Sequence, residues 1–186
     1  MARSRRAAGL GLGVAAANIA ILLIAGCGGA GGATTTASER GTSARPAAQG
    51  PVVATLGRLR DLASSVGHPI YWAGERPGEY ELTVDPNGNI FIRYLKAGEP
   101  AGSRRTSLTV ATYPFAKGYE ILRGVSRGSG ETTGHTPDGG LAVVGKVKPN
   151  NAYIAYPGTD LQIEVYDPKA GRAFELATAG AISRIN

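Results

Sequence analysis

The chain contains one cysteine, and its position limits what the rest of the chain can fold into. Cys27 is the only cysteine among the 186 residues. Residues 51–186 therefore have no thiol with which to form a disulfide, a thiolate nucleophile or a cysteine-ligated metal site. A domain in this segment must be held together by its hydrophobic core, and its length is sufficient for one self-sufficient domain.

The residues before Cys27 have the pattern of an export signal. Arg3, Arg5 and Arg6 form a positive region, an apolar segment follows at residues 10–24, and small residues lead up to the cysteine. The sequence Ile24-Ala25-Gly26-Cys27 resembles the lipobox of bacterial lipoproteins. That resemblance implies a signal peptide at 1–26 that is cleaved off, and a Cys27 that carries a diacylglyceryl group and is often acylated at its new amino terminus. It also implies that membrane lipid is a partner and that the protein lies on the extracytoplasmic face of the cell membrane.

An uncleaved membrane helix is the alternative interpretation of the same segment. Residues 7–26 carry no charge and are long enough to span a bilayer, although Asn18 and three glycines make this helix a poor one. Both interpretations place the arginines on the cytoplasmic side, so both place the folded part outside. Sec and Tat export both remain open, because Ser4-Arg5-Arg6 only partly matches a twin-arginine signal.

Residues 27–50 are predicted to be a flexible tether. Gly, Ala, Thr and Ser dominate this segment, and it contains no large apolar residue, so it cannot bury enough surface to order itself. The tether and the signal also hold most of the net charge of +6. Basic and acidic residues nearly balance in residues 51–186, and the densest basic spot is the pair Arg104-Arg105. A nucleic-acid partner is therefore not expected.

Residues 51–186 are predicted to form a single α+β domain. Apolar spacing predicts an amphipathic helix over residues 52–66, and alternation predicts a hairpin of residues 79–85 and 89–95 around the Asp85-Pro86-Asn87-Gly88 turn. Further strands are predicted, and helices are predicted after Pro114 and from Asp167-Pro168. The expected fold is a mostly antiparallel sheet with two or three helices packed on one face.

Two stretches of the domain resemble each other, which leaves an internal duplication open. Leu108-Thr-Val-Ala-Thr-Tyr-Pro114 is similar to Leu161-Gln-Ile-Glu-Val-Tyr-Asp-Pro168, and each leads into a predicted helix. The repeated pattern would be strand–strand–strand–helix. Common turn and helix-start residues can also produce such a pattern.

One motif suggests catalysis. Residues 124–128 read Gly-Val-Ser-Arg-Gly, which matches the pattern around a hydrolase nucleophile, with His135 and Asp138 as the possible partners of Ser126. That chemistry needs a strand before the serine and a helix after it, whereas the predicted order here is the reverse. Residues 124–140 are instead expected to be a mobile polar loop. With two histidines in the chain, neither a metal nor any other cofactor is predicted.

A second cluster suggests binding. His68, Tyr71 and Trp72 lie between Gly67 and Gly74, and strand alternation places the two aromatic side chains on opposite faces. This segment, the Tyr-x-Leu hairpin and the Thr-Tyr-Pro helix start resemble uncharacterised exported proteins of high-G+C Gram-positive bacteria, a resemblance that implies no activity. A structural role for the tryptophan competes with a role as an exposed anchor.

These observations favour a binding or interaction module of the cell envelope, which is more consistent with this sequence than an enzyme. The partner would be an envelope protein or a small ligand. A small serine hydrolase using Ser126, and a structural envelope assembly protein, are the alternatives.

Overall fold

The computed structural model describes residues 46–186. The predicted signal peptide, Cys27 and nearly all of the predicted tether lie outside the described residues. Within the described range the elements are β1 (Gln49–Ala54), α1 (Leu56–Ser65), β2 (Tyr71–Trp72), β3 (Glu79–Val84), β4 (Ile90–Leu95), β5 (Thr109–Pro114), α2 (Gly118–Val125), β6 (Glu131–His135), β7 (Leu141–Gly145), β8 (Asn151–Ala155), β9 (Leu161–Tyr166), α3 (Arg172–Thr178) and β10 (Ser183–Arg184). None of these helices has the length and apolar character needed to cross a bilayer.

Eight of the strands form one antiparallel sheet, which confirms the predicted α+β class. The strand order is β1-β3-β4-β5-β9-β8-β7-β6, and β2 pairs separately with β10. The order is symmetrical about the central pair β5–β9, with three further strands on each side. Each half contains the predicted strand–strand–strand–helix sequence, as β3-β4-β5-α2 and β7-β8-β9-α3.

One face of the sheet, called face A here, carries the main core. Alternation along the strands directs Leu82, Ile92, Val110, Ile154 and Ile163 to this face, and each is fully buried. Helices α1 and α3 and the β2–β10 ribbon pack on the same side. Two helices therefore share one face, as the sequence predicts.

The remaining helix, α2, packs on the opposite face, called face B here. Leu122 of α2 joins Leu141 and Val143 of β7 and Ala155 of β8 in a second, smaller cluster. The neighbouring residues of β7, Ala142 and Val144, point to face A. Because α2 and α3 lie on opposite faces, the resemblance of the two halves is limited to their strands.

Two strands form where the sequence predicts other structure. Residues 49–54 form the edge strand β1, although they fall partly in the predicted tether and partly in the predicted first helix. The helix begins later because the Thr55 side chain caps it by accepting a hydrogen bond from the Arg58 backbone N–H at 3.2 Å. Strand β6 forms inside the predicted loop 124–140 and pairs along its whole length with β7.

The last helix also begins later than predicted. The Asp167 carboxylate accepts a hydrogen bond from the Lys169 N–H at 2.8 Å, which makes a local turn at the predicted cap. Helix α3 starts only at Arg172, after Gly171 in a left-handed conformation with φ of 80°. Helix α2 starts in the same way after Lys117, whose φ is 57°.

Candidate ligand-binding surface

The structure does not bring the three candidate catalytic residues together. Ser126 ends α2, and its hydroxyl donates to the Arg123 backbone oxygen at 2.9 Å. Asp138 accepts hydrogen bonds from Thr136 and, at 3.0 Å, from the Tyr156 hydroxyl. His135 is exposed at the end of edge strand β6. Within residues 46–186 no hydrogen bond joins Ser126, His135 and Asp138 to one another, so the geometry gives the hydrolase alternative no support.

The His68–Trp72 cluster forms part of the core. Tyr71 is 1% exposed and Trp72 is 8% exposed, whereas strand alternation favoured one buried and one exposed ring. Both are covered because the short β2 strand lies on face A, where Tyr71 stacks on Tyr156 with ring centroids 5.4 Å apart and Trp72 packs against Tyr80 at 6.0 Å.

Backbone hydrogen bonds fix this segment to the sheet. The Tyr71 N–H donates to the Thr112 hydroxyl at 3.0 Å, and the Ala73 N–H donates to the Tyr94 hydroxyl at 2.6 Å. His68 is half-buried, and its Nδ1 lies 3.1 Å from the Pro69 carbonyl oxygen. In this arrangement the cluster presents neither of its large rings to solvent.

Face B offers a more open surface. Helix α2 packs against β7, β8 and β9, and leaves the β3–β5 side of the face without a helix among the described residues. At the boundary lie five half-buried side chains that we call the face-B patch: Phe91, Tyr113, Asn151, Tyr153 and Glu164. Neighbouring strands bring these side chains together. Tyr153 on β8 is the direct cross-strand partner of Glu164. On the other side of β9, Glu164 pairs with Ala111 of β5, which lies two residues before Tyr113.

The Glu164 carboxylate is the centre of the patch. One of its oxygens accepts a hydrogen bond from the Tyr113 hydroxyl at 2.6 Å. The other oxygen accepts from the Asn151 amide at 2.5 Å and from the Tyr153 hydroxyl at 3.2 Å. Three donors from the two strands that flank β9, one on β5 and two on β8, therefore fix the position of one carboxylate on this central strand.

The tyrosines of the patch are held in their neutral, donating form. Burial raises the pKa of the Tyr113 hydroxyl well above its usual range, and the negative charge of Glu164 raises it further. The same two causes, in the same order, raise the pKa of Tyr153. Phe91 adds an aromatic wall by packing edge-on against Tyr113, with ring centroids 5.8 Å apart.

The loop of residues 96–105 borders face B on the side away from α2. Arg93 and Glu81 face each other across β3 and β4 in an ion pair of 2.8 Å, with side chains that are 15% and 9% exposed. Arg93 also donates to the backbone oxygens of Ser103 and Arg105, while Glu81 accepts from the Gly102 N–H. These bonds hold residues 96–105 against the sheet. The residues of this loop line an open hollow of about 490 Å³.

The described part of the chain contains no group of three or more His, Cys, Asp and Glu residues arranged to hold a metal ion. Comparison of the chain with protein-family models, with curated protein sequences and with solved structures gives no match. The chemistry of the surface is therefore the basis for assigning a function.

Proposed function

We propose that the protein is a lipid-anchored, extracytoplasmic binding module of the cell envelope, and that its face-B patch binds saccharide. The anchor is proposed from the sequence around Cys27, and the binding surface from the arrangement around Glu164. No catalytic step is part of this proposal.

The observation that carries the proposal is the fixed carboxylate among partly exposed aromatic rings. Aromatic rings offer flat apolar faces, which suit the C–H faces of sugar rings. The carboxylate of Glu164 and the oxygens of Tyr113 and Tyr153 can accept hydrogen bonds from sugar hydroxyl groups. Because the hydrogen bonds within the patch already fix these side chains, little side-chain freedom is lost when a ligand binds.

The open shape of the surface fits an extended ligand better than a small enclosed one. The patch lies on a sheet face between α2 and the loop of residues 96–105. Small-molecule sites usually enclose most of their ligand, whereas a chain of sugar rings can lie along an open sheet. A cell-wall polysaccharide has this shape and is found where the proposed anchor would hold the domain.

Binding can be tested with a fragment of residues 46–186 and soluble fragments of bacterial cell-wall polysaccharide. The fragment is suitable because the buried core residues of the described range belong to one compact unit. Phe91→Ala should weaken binding by about two- to tenfold, since one aromatic contact contributes about 0.5–1.5 kcal/mol. Phe115→Ala is the matched control, because Phe115 is also half-buried but lies outside the patch. Equal loss in both variants, or no binding by the unsubstituted fragment, would contradict the assignment of saccharide binding to this patch.

The anchor is tested separately in the full chain. Cys27→Ala should move the protein out of the detergent phase or block its processing, because two or three acyl chains give stable anchoring. Unchanged partitioning and processing would favour the uncleaved helix of residues 7–26.

A further inference from the structure

One end of the sheet carries three turns that are joined by backbone hydrogen bonds. The Gly171 N–H donates to the Pro149 oxygen at 2.8 Å, and the Asp167 N–H donates to the Asn150 oxygen at 3.0 Å. The Lys146 N–H donates to the Gly130 oxygen at 2.9 Å. The turns after α2, after β7 and after β9 therefore form one connected surface.

Exposed basic side chains crowd this surface, which we call the basic tip: Arg127, Lys146, Lys148, Lys169 and Arg172. Within residues 46–186 only Arg172 of this group forms an ion pair, with the exposed Glu175. The other two acidic groups of these turns, Glu131 and Asp167, are both half-buried and are outnumbered by the basic side chains. The surface therefore presents an excess of positive charge.

An aliphatic side chain projects from the middle of the basic tip. Val147 lies between Lys146 and Lys148 and is 94% exposed, far more than any other large apolar side chain in the described range. A soluble polyanion offers nothing to such a side chain. The interfacial region of a bilayer provides both anionic headgroups for the lysines and an apolar layer for the valine.

We infer that the basic tip docks on an anionic lipid surface, with Val147 inserted at the interface. This inference extends the proposed function, because it describes how an anchored domain would lie on its membrane. It does not depend on the face-B patch or on Cys27 for its test.

The length of the chain allows this orientation. The described chain enters at Pro46 and reaches Gln49, which pairs with Val84 at the end of the sheet opposite the basic tip. The residues between Cys27 and Pro46 can span up to roughly 60 Å when extended, whereas a six-residue strand is about 20 Å long. A domain anchored at Cys27 can therefore place its far end on the bilayer.

The test uses the fragment of residues 46–186 and sedimentation with lipid vesicles. The unsubstituted fragment should bind vesicles of phosphatidylcholine mixed with phosphatidylglycerol but not vesicles of phosphatidylcholine alone, and added salt should weaken binding. The double change K146E/K148E should weaken binding by about 25-fold or more. Lys117→Glu, which reverses an exposed charge away from the basic tip, is the matched control and should leave binding unchanged.

A second variant separates lipid from other anions. Val147→Asp should weaken vesicle binding more than it weakens binding to soluble polyphosphate. Equal loss for both ligands would overturn the assignment to lipid, and so would an absence of binding to the anionic vesicles. Phe91→Ala should not alter vesicle binding, so failure of this inference can be distinguished from failure of the proposed saccharide site.

Discussion

At the scale of single residues, backbone conformation explains how both late helices begin. Helix α3 follows Gly171, a residue type that adopts positive φ without steric cost, whereas α2 follows Lys117 with φ of 57°. Lys117 is the only residue other than glycine with positive φ among residues 46–186. Its backbone N–H is held by the Asp160 carboxylate at 2.9 Å. The strain at Lys117 is therefore compensated by a neighbouring turn.

Lys117→Gly should stabilise the domain. An L-residue in the left-handed region costs about 1 kcal/mol, and glycine removes most of that cost while keeping the N–H bonded to Asp160. We expect the free energy of unfolding to rise by roughly 0.5 kcal/mol, measured by denaturant melts. Lys169→Gly is the control: this exposed lysine does not have positive φ, so glycine should lower stability there. A lower stability for Lys117→Gly would show that the conformation carries no strain.

Residue-level patterns also determined what could be predicted about the candidate surface. Alternation predicted the hairpin that begins with residues 79–85, because an apolar side chain at every second position is a strong signal, and Leu82 and Val84 of this strand are buried. The outward positions Phe91, Tyr113 and Glu164 carry no such signal. These side chains meet only because β4, β5 and β9 are neighbouring strands. The pairing of β5 with β9 brings together residues that are more than 50 positions apart in the sequence.

At the scale of elements, close backbone approach controls how α2 sits on the sheet. A Cβ atom at Gly118 would lie 2.7 Å from the Leu161 backbone oxygen, whereas one at Gly124 would meet nothing within 4 Å. The first turn of the helix therefore touches β9 directly. The sequence predicted this helix to begin after Pro114, whereas it begins at Gly118, and the face of the sheet that it covers depends on this contact between distant parts of the chain.

Gly118→Ala and Gly124→Ala should have opposite effects on stability. The first forces helix and strand apart and should cost about 1–3 kcal/mol. The second adds a better helix-forming residue in open space and should add about 0.5–1 kcal/mol. Chemical denaturation of both variants gives the two values. Similar effects from the two changes would contradict the packing of α2 on β9.

The two edge strands, β1 and β6, show why sequence analysis did not predict every strand. Strand β6 has polar residues at most positions and two exposed threonines, so its sequence resembles a loop. It becomes a strand because β7 is a buried apolar strand that offers it backbone hydrogen bonds. Strand β1 is specified in the same way by its pairing with β3. Tertiary context outweighed local propensity in both cases.

At the scale of the whole molecule, buried or half-buried tyrosines lie on both faces of the sheet. Folding raises the pKa values of their hydroxyl groups, so these groups stay protonated. Burial is the largest cause of the raised pKa values of Tyr94, Tyr113, Tyr153 and Tyr156. In the unfolded chain each of these groups has a pKa of about 10. Folding therefore becomes linked to pH only in the alkaline range.

Stability should be maintained up to about pH 10 and fall as the pH rises further. At pH values below the pKa of the unfolded state, both states hold the tyrosine protons. Above that pKa, the unfolded state is stabilised by releasing these protons, whereas the folded state keeps them. Thermal melts across the alkaline range should show a declining Tm, with ionisation of these tyrosines accompanying unfolding. Tyr113→Phe should make the decline less steep. A decline of equal steepness in Tyr113→Phe would contradict the burial of this hydroxyl beside Glu164.

The central claim is that the face-B patch is the binding surface, and chemical-shift mapping tests it most directly. The isotope-labelled fragment of residues 46–186 would be titrated with soluble cell-wall saccharide and followed by backbone amide NMR. The predicted result is a set of perturbations centred on Phe91, Tyr113, Asn151, Tyr153 and Glu164. Perturbations centred on residues 68–72 or 124–138 instead, or no perturbation at any saccharide concentration, would contradict it.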